Sequence, residues 1–297
     1  MKTGRRGLVF FVFVVLLFGP VACGSTQSEG ARSSAGAKGE HKHLDDYKRK
    51  HFNLFSEKDD IKLGEYVMKL QIKEFKKEGV GVDLPKHQEL KARVEKIVHR
   101  LAAVSDKPDF PYEVHIFDRP DVVNAFAMPG GKIGVFTGLF DREKGLVDIN
   151  NDDQIAAVIG HEMAHATVRH ITRRLTTYQG INLIGLAGVI GFGQGLGPNA
   201  EYIFNQVFSL GVNLYLPSYS RKHEKEADQI GFYYLAKAGY NPQAAIDIWK
   251  KAAAKGGPNS KRTDFFASHP ASGERAKALE AWLPEALQIQ SSAGAAY

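Results

Sequence analysis

Apolar residues recur at helical spacing through Ile61, Val67, Met68, Leu70, Ile72 and Phe75, which predicts a helix to about Lys77, stopped at Gly79. A second stripe, Leu90, Val94, Ile97, Leu101 and Val104, predicts a helix opening at Pro85 with Asp83 as its cap. After Pro108 the period falls to two. Residues 112–117 alternate as a strand, and residues 124–128 and 132–137 flank the turn Pro129, Gly130, Gly131, so a hairpin and a small antiparallel sheet are expected. One edge of such a sheet could pair with an extended peptide through backbone hydrogen bonds, and Asn124, Ala125, Phe126 and Ala127 are the candidate strand. Asn151 or Asp152 caps the next helix, which carries Ile155, Val158 and Ile159 and is expected to continue to about Leu175. Residues 181–193 are apolar and glycine-rich but too short to span a membrane; a buried helix or a mobile cover is expected there. Ile230, Tyr233, Tyr234 and Ala238 mark a further helix, and two bracing helices follow, one with Ala245, Ile246 and Trp249, the other with Arg275, Leu279 and Trp282. Residues 291–297 read as a disordered tail.

Composition narrows the class. The 297 residues, 43% hydrophobic, suffice for one sizeable core or two small ones. The formal charge is +6, and Lys2, Arg5 and Arg6 supply three of those charges, with no basic patch interleaved with aromatics, which argues against a nucleic-acid role. Cys23 is the single cysteine, so disulfides within the chain and cysteine-based zinc fingers are excluded. It follows a positive start and an apolar run over residues 8–18, so residues 1–23 read as a signal peptide. Ala22 and Cys23 resemble a bacterial lipoprotein cleavage point, with Cys23 as the lipidated residue, although Pro20 departs from that pattern; the alternative is simple secretion, with cleavage near Gly24 and an unmodified thiol. Residues 24–43, rich in Ser, Gly and Ala, read as a disordered tether, leaving 44–290 as the folded domain.

The candidate chemistry lies in the helix after Asn151. His161 and His165 stand four apart, hence on one face, with Glu162 beside them in the pattern H-E-x-x-H. Two imidazoles converging on one point can hold a zinc ion, which then needs a third protein ligand and an open position for water. Glu224 and Asp228, also four apart on one face, are the candidates: one can bind metal while the other orients a ligating histidine from behind. Glu226 does not share that face, and His170, five past His165, is rotated off the metal side of an unbroken helix. Tyr219 and His269 are candidates for an oxyanion donor.

Taken together, these residues make the chain resemble the M48 family of zinc metallopeptidases, in its soluble periplasmic lipoprotein branch. The resemblance rests on His161 to His165, on S-R-x-x-E-x-x-A-D from Ser220 to Asp228, on Asn124 to Gly131, and on Ser268, His269 and Pro270. It implies an α+β, mainly helical, zincin-like domain with the H-E-x-x-H helix at its centre. It further implies one zinc ion per chain on His161, His165 and Glu224, Glu162 as general base, and Asp228 supporting a ligand histidine. His269 becomes a candidate fourth ligand or gate. The expected function is endopeptidase cleavage of unfolded or misassembled proteins in the bacterial envelope. Expected partners are extended protein segments, envelope assembly factors, and a membrane reached through the lipid anchor alone. The expected location is the periplasm, at the outer membrane. The alternative is a chaperone or assembly factor that binds clients on the same scaffold with little proteolysis. A membrane-embedded protease of the family is disfavoured, because no long apolar span is evident.

Overall fold

A computed structural model describes residues 52–181, 219–255, 269 and 273–294. Helix α1 spans Glu57–Lys77 and opens on a capping box: Ser56 accepts from the Asp59 backbone while the Asp59 side chain accepts from Ser56. Its stripe Leu63, Val67, Met68 and Phe75 is buried. Strand β1 is Gly81–Val82, and a 3-10 turn at Pro85–His87 leads into α2, Gln88–Ala102. Asp83 does not cap α2; its φ is 52°, and its Oδ1 instead accepts from the Ile116 backbone at 2.9 Å, tying β1 to the next strand.

Strands β2 (Glu113–Asp118), β3 (Ala125–Met128) and β4 (Lys132–Phe136) complete a sheet ordered β1-β2-β4-β3. The expected hairpin β3–β4 is antiparallel, turning at Gly130 and Gly131, both at positive φ. The sheet as a whole is mixed, which corrects the expectation of an antiparallel one. The chain carries β3 to the outside, and β4 returns into the gap beside β2, running parallel to it with Val114 opposite Ile133 and Ile116 opposite Val135. A parallel pair of this kind is accommodated where both faces are covered. Here they are: Val114, Ile116, Ile133 and Val135 pack with α2 and the H-E-x-x-H helix, while Phe117, Phe126 and Phe136 pack with Phe75 of α1. Phe75 meets Phe117 edge-on at 5.0 Å between ring centres.

Helix α3, Asp152–Thr167, is capped by Asn151, which accepts from the Gln154 backbone at 3.1 Å. It does not run on to Leu175. Val168 ends it, and Arg169 turns left-handed at φ 62° before α4, His170–Ile181. Arg169 holds that conformation with an ion pair to buried Asp60 and a hydrogen bond to the Phe55 carbonyl. The interaction joins the break to the start of α1.

Helix α5, Arg221–Lys237, packs closely against α3 where Gly231 meets Gly160. A Cβ on Gly231 would stand 2.9 Å from the Gly160 carbonyl and from His161 Cα. Ser220 caps α5 on the His223 backbone. Tyr234 of α5 donates to Asp106 at 2.8 Å and lies 3.0 Å from Thr167 Oγ1, pinning the end of α3. Helices α6 (Gln243–Lys255) and α7 (Gly273–Gly294) brace α5 and α3. The last helix therefore includes residues 291–294, which the sequence reads as tail. Among the described residues no helix is long and apolar enough to cross a membrane. The expected signal peptide with Cys23, the tether at 24–43 and most of the glycine-rich 181–193 segment lie outside the described residues.

Candidate metal centre

Successive turns of α3 present His161 and His165 to one point, their Nε2 atoms 3.1 Å apart. Glu224, one turn into α5, brings Oε2 to 3.6 Å from His161 Nε2 and Oε1 to 3.6 Å from His165 Nε2. His269 enters from a separate part of the chain, its Nδ1 3.3 Å from His161 Nε2 and 3.1 Å from Glu224 Oε1. All four side chains are buried, and their candidate donor atoms lie within 4.8 Å of one another. Donors about 2.0–2.1 Å from a tetrahedral ion stand roughly 3.3 Å apart, so these separations suit one small divalent cation. It is the one such group among the described residues. Glu162 stays outside the donor set; its Oε1 is 3.2 Å from His269 Nε2.

Behind the donors lie residues that aim them. Asp228 Oδ1 is 3.1 Å from His161 Nδ1, which leaves Nε2 facing the centre. Arg275 from α7 donates to both Asp228 oxygens at 2.6 Å, and its Nη1 lies 2.6 Å from Glu224 Oε2. Its guanidinium also lies over the Trp249 ring, 3.5 Å from the centre. The sequence places Arg275 only on a bracing helix; the sole hint is a charged residue on the same stripe as Leu279 and Trp282. Tyr219 stacks its ring on His165 at 3.7 Å between centres, and its buried hydroxyl has no hydrogen-bond partner among the described residues.

His170 and Glu226 stay outside the donor group, as the spacing implies, but they line up behind His165, a contact the spacing does not give. His170 Nδ1 stands 2.8 Å from His165 Nδ1, and His170 Nε2 stands 3.0 Å from Glu226 Oε2. Spacing along one continuous helix would turn His170 away, whereas the left-handed turn at Arg169 folds His170 back against His165. Glu226 indeed avoids the metal-facing side of α5, and from its own side it meets α4.

Burial and charge set the protonation of the group. Burial by itself would raise Glu224, but the His269 and Arg275 charges outweigh it and hold the carboxyl well below its ordinary value. Asp228 is likewise lowered, burial being overcome by Arg275. Burial pushes His165 well below 6.5, with His161 adding to the effect, so it stays in the neutral form that binds metals. For His269 burial acts downward, yet the Glu224 and Glu162 charges prevail and raise it to about 10. The ionised Glu224 carboxylate and the neutral His165 imidazole, with ionised Asp228 behind them, offer a cation suitable donors.

Ala125, Phe126 and Ala127 of β3, and Asn124 just before it, are buried, and β3 lies at the sheet edge beside α3. Asn124 Oδ1 accepts from the Ala125 backbone at 2.9 Å, while its Nδ2 has no hydrogen-bond partner among the described residues.

A helix bearing two histidines and a glutamate, joined by a glutamate from a second helix behind a small sheet, defines a metallopeptidase of the H-E-x-x-H class. Residues 88–283 match the profile of Peptidase family M48, and the chain belongs to that family. It is 33% identical over 203 residues to a mitochondrial metalloendopeptidase, OMA1, of Schizosaccharomyces pombe, covering 68% of this chain and 56% of that one. It is 32% identical over 155 residues to the metalloprotease LoiP of Escherichia coli, covering 52% and 56%. With a beta-barrel assembly-enhancing protease of Yersinia pestis it shares 28% over 174 residues, covering 58% and 34%. The chain thus spans about half the length of the curated relatives it matches. These findings correct the expected location. Relatives with mitochondrial names stand alongside bacterial ones, so the motifs that prompted a periplasmic, outer-membrane assignment do not carry it. A compartment is set by targeting sequence, and the metal centre is indifferent to it.

Proposed function

We propose that this chain is a zinc-dependent endopeptidase that cleaves extended or unfolded segments of other proteins, with residues 44–290 as its catalytic domain. The observation that carries the reading is the buried convergence of His161, His165 and Glu224 with Glu162 at its side. These three would hold one zinc ion, which when bound supplies Lewis acidity toward a water and a peptide carbonyl. Glu162 takes up the proton the attacking water loses and returns it to the leaving amine, one carboxylate serving as base and then acid. Asp228, itself clamped by Arg275, keeps His161 Nδ1 protonated and Nε2 aimed inward. His269 serves as a further donor that closes the centre until substrate displaces it; its two nitrogens face Glu224 and Glu162, the groups substrate must reach. The edge strand Asn124 to Ala127 takes the substrate backbone, with the Asn124 amide as a ready donor.

The test uses the full chain, zinc-loaded, incubated with an unfolded protein beside Glu162→Gln and a chelated control. Cleavage by wild type alone is expected. Equal cleavage by Glu162→Gln would sink the mechanism. Suppression of client aggregation by both proteins without cleavage would replace it with a client-binding role.

A further inference from the structure

We propose that Glu226 and His170 form a relay that fixes the hydrogen positions of His165 and so presets it as a metal ligand; the inference rests on the metal-site reading above. His165 Nε2 faces the other donors, at 3.1 Å from His161 Nε2 and 3.6 Å from Glu224 Oε1, so His165 binds through that nitrogen and its hydrogen belongs on Nδ1. Only one hydrogen fits in the 2.8 Å between His165 Nδ1 and His170 Nδ1. With both rings neutral, two assignments exist. If His170 carried that hydrogen, His165 would hold its own on Nε2, turned at the metal, and neutral His170 would set a bare Nε2 against the Glu226 carboxylate at 3.0 Å. If His165 carries it, His170 accepts at Nδ1 and donates from Nε2 to Glu226, and every contact pairs one donor with one acceptor.

The carboxylate therefore selects the tautomer of both rings. Arg173 Nη1, 3.2 and 3.1 Å from the two Glu226 oxygens, keeps that carboxylate charged and in place. The ring of His223 stacks on His170 at 4.4 Å between centres and holds it flat. His161 has the same arrangement in shorter form, since Asp228 meets its Nδ1 directly. The two ligand histidines thus each lean on a carboxylate from α5, Asp228 directly and Glu226 through one intervening imidazole. Both carboxylates lie two or four residues from the ligand Glu224, so one helix supplies a ligand and the orientation of the other two. His170 and Glu226 are positioning residues that touch no substrate.

Two readouts test this on the full chain. Zinc affinity, measured by competition with a chromophoric chelator, is expected to fall by about tenfold to a hundredfold in His170→Phe and in Glu226→Ala. Glu226→Gln, which keeps an acceptor oxygen, should lose less. Imidazole nitrogen NMR of the metal-free wild type should place the hydrogen of His165 on Nδ1 and that of His170 on Nε2, and Glu226→Ala should scramble both. A purely structural role would leave these tautomers unchanged. Wild-type zinc affinity in Glu226→Ala, with the tautomers intact, would overturn the relay. Failure of the wild type itself to bind zinc would overturn the metal-site reading instead, and with it the premise of the relay. Should His170→Phe not fold, Glu226→Ala decides alone, because Glu226 is half-buried at the edge of the cluster.

Discussion

Arg275 shows how one residue can serve the centre without touching its metal position. Its guanidinium is shared between Glu224 and Asp228, a donor and a donor's support, and burial makes both carboxylates dependent on it. Arg275→Met keeps much of the volume over Trp249 but leaves two buried carboxylates without their cation. Breaking a buried pair in this way costs about 3–5 kcal/mol, and a loss of that order in urea unfolding of the metal-free protein is expected. Saturating zinc should recover part of it, since the ion supplies positive charge to Glu224. A loss under about 1 kcal/mol would mean that the carboxylates draw their stabilisation from elsewhere. Asp228→Asn is a smaller change, because the amide oxygen can still accept from His161, and the chelator assay should show a zinc affinity lowered by up to about tenfold. That His161, His165 and Glu224 come together was legible in the sequence for a geometric reason. His161 with His165, and Glu224 with Asp228, are pairs within single helices, where four residues make about one turn. Arg275 was not legible, because it meets its partners only after α7 has packed on α5.

At the scale of elements, the distance between α3 and α5 decides whether ligands from two helices can share one ion. Gly231 faces Gly160 so closely that a methyl group would overlap the Gly160 carbonyl and the His161 backbone, at 2.9 Å. The neighbours are backbone, so nothing can rotate aside. Gly231→Ala must therefore push the helices apart, at an overpacking cost of roughly 1–3 kcal/mol, and it should weaken zinc binding as Glu224 withdraws. Gly160→Ala meets the Gly231 carbonyl at 3.3 Å and should be the milder of the two. Equal zinc affinity in Gly231→Ala and wild type would show that the helix spacing is less critical than the geometry requires. Element existence followed well from periodicity, since α1, α2, α3, α5 and the β3–β4 hairpin occupy the apolar stripes that foretold them. What periodicity could not supply was the break after Thr167. Arg169 is a non-glycine residue at φ 62°, a conformation held by Asp60 more than a hundred residues earlier in the chain, and no local signal marks it. The parallel pairing of β2 with β4 was hidden for a similar reason, as alternation describes a strand and is silent on its neighbours.

For the molecule as a whole, folding and metal binding compete for the same protons. Glu224, Asp228 and Glu226 all have folded values below their ordinary ones, Glu226 at about 2 against 4.5. Their contribution to stability is complete above the ordinary carboxylate range and is lost as pH falls through the folded values. His161 and His269 are raised, His269 to about 10 from 6.5, so their contribution in the metal-free protein is complete below 6.5 and is lost as pH rises toward 10. Zinc needs His161 unprotonated, and it takes over the carboxylate charge that raises His269. Binding must then release protons, and affinity should climb with pH while the metal-free fold weakens. The melting-temperature gain on adding zinc, which follows the logarithm of ligand concentration over Kd, should accordingly be larger at about pH 8 than at about pH 6. Thermal melts of the full chain with chelator and with zinc at the two pH values measure it. A gain independent of pH would mean that the histidines of the metal-free centre already lack their protons, contrary to the pull of Glu224 and Glu162.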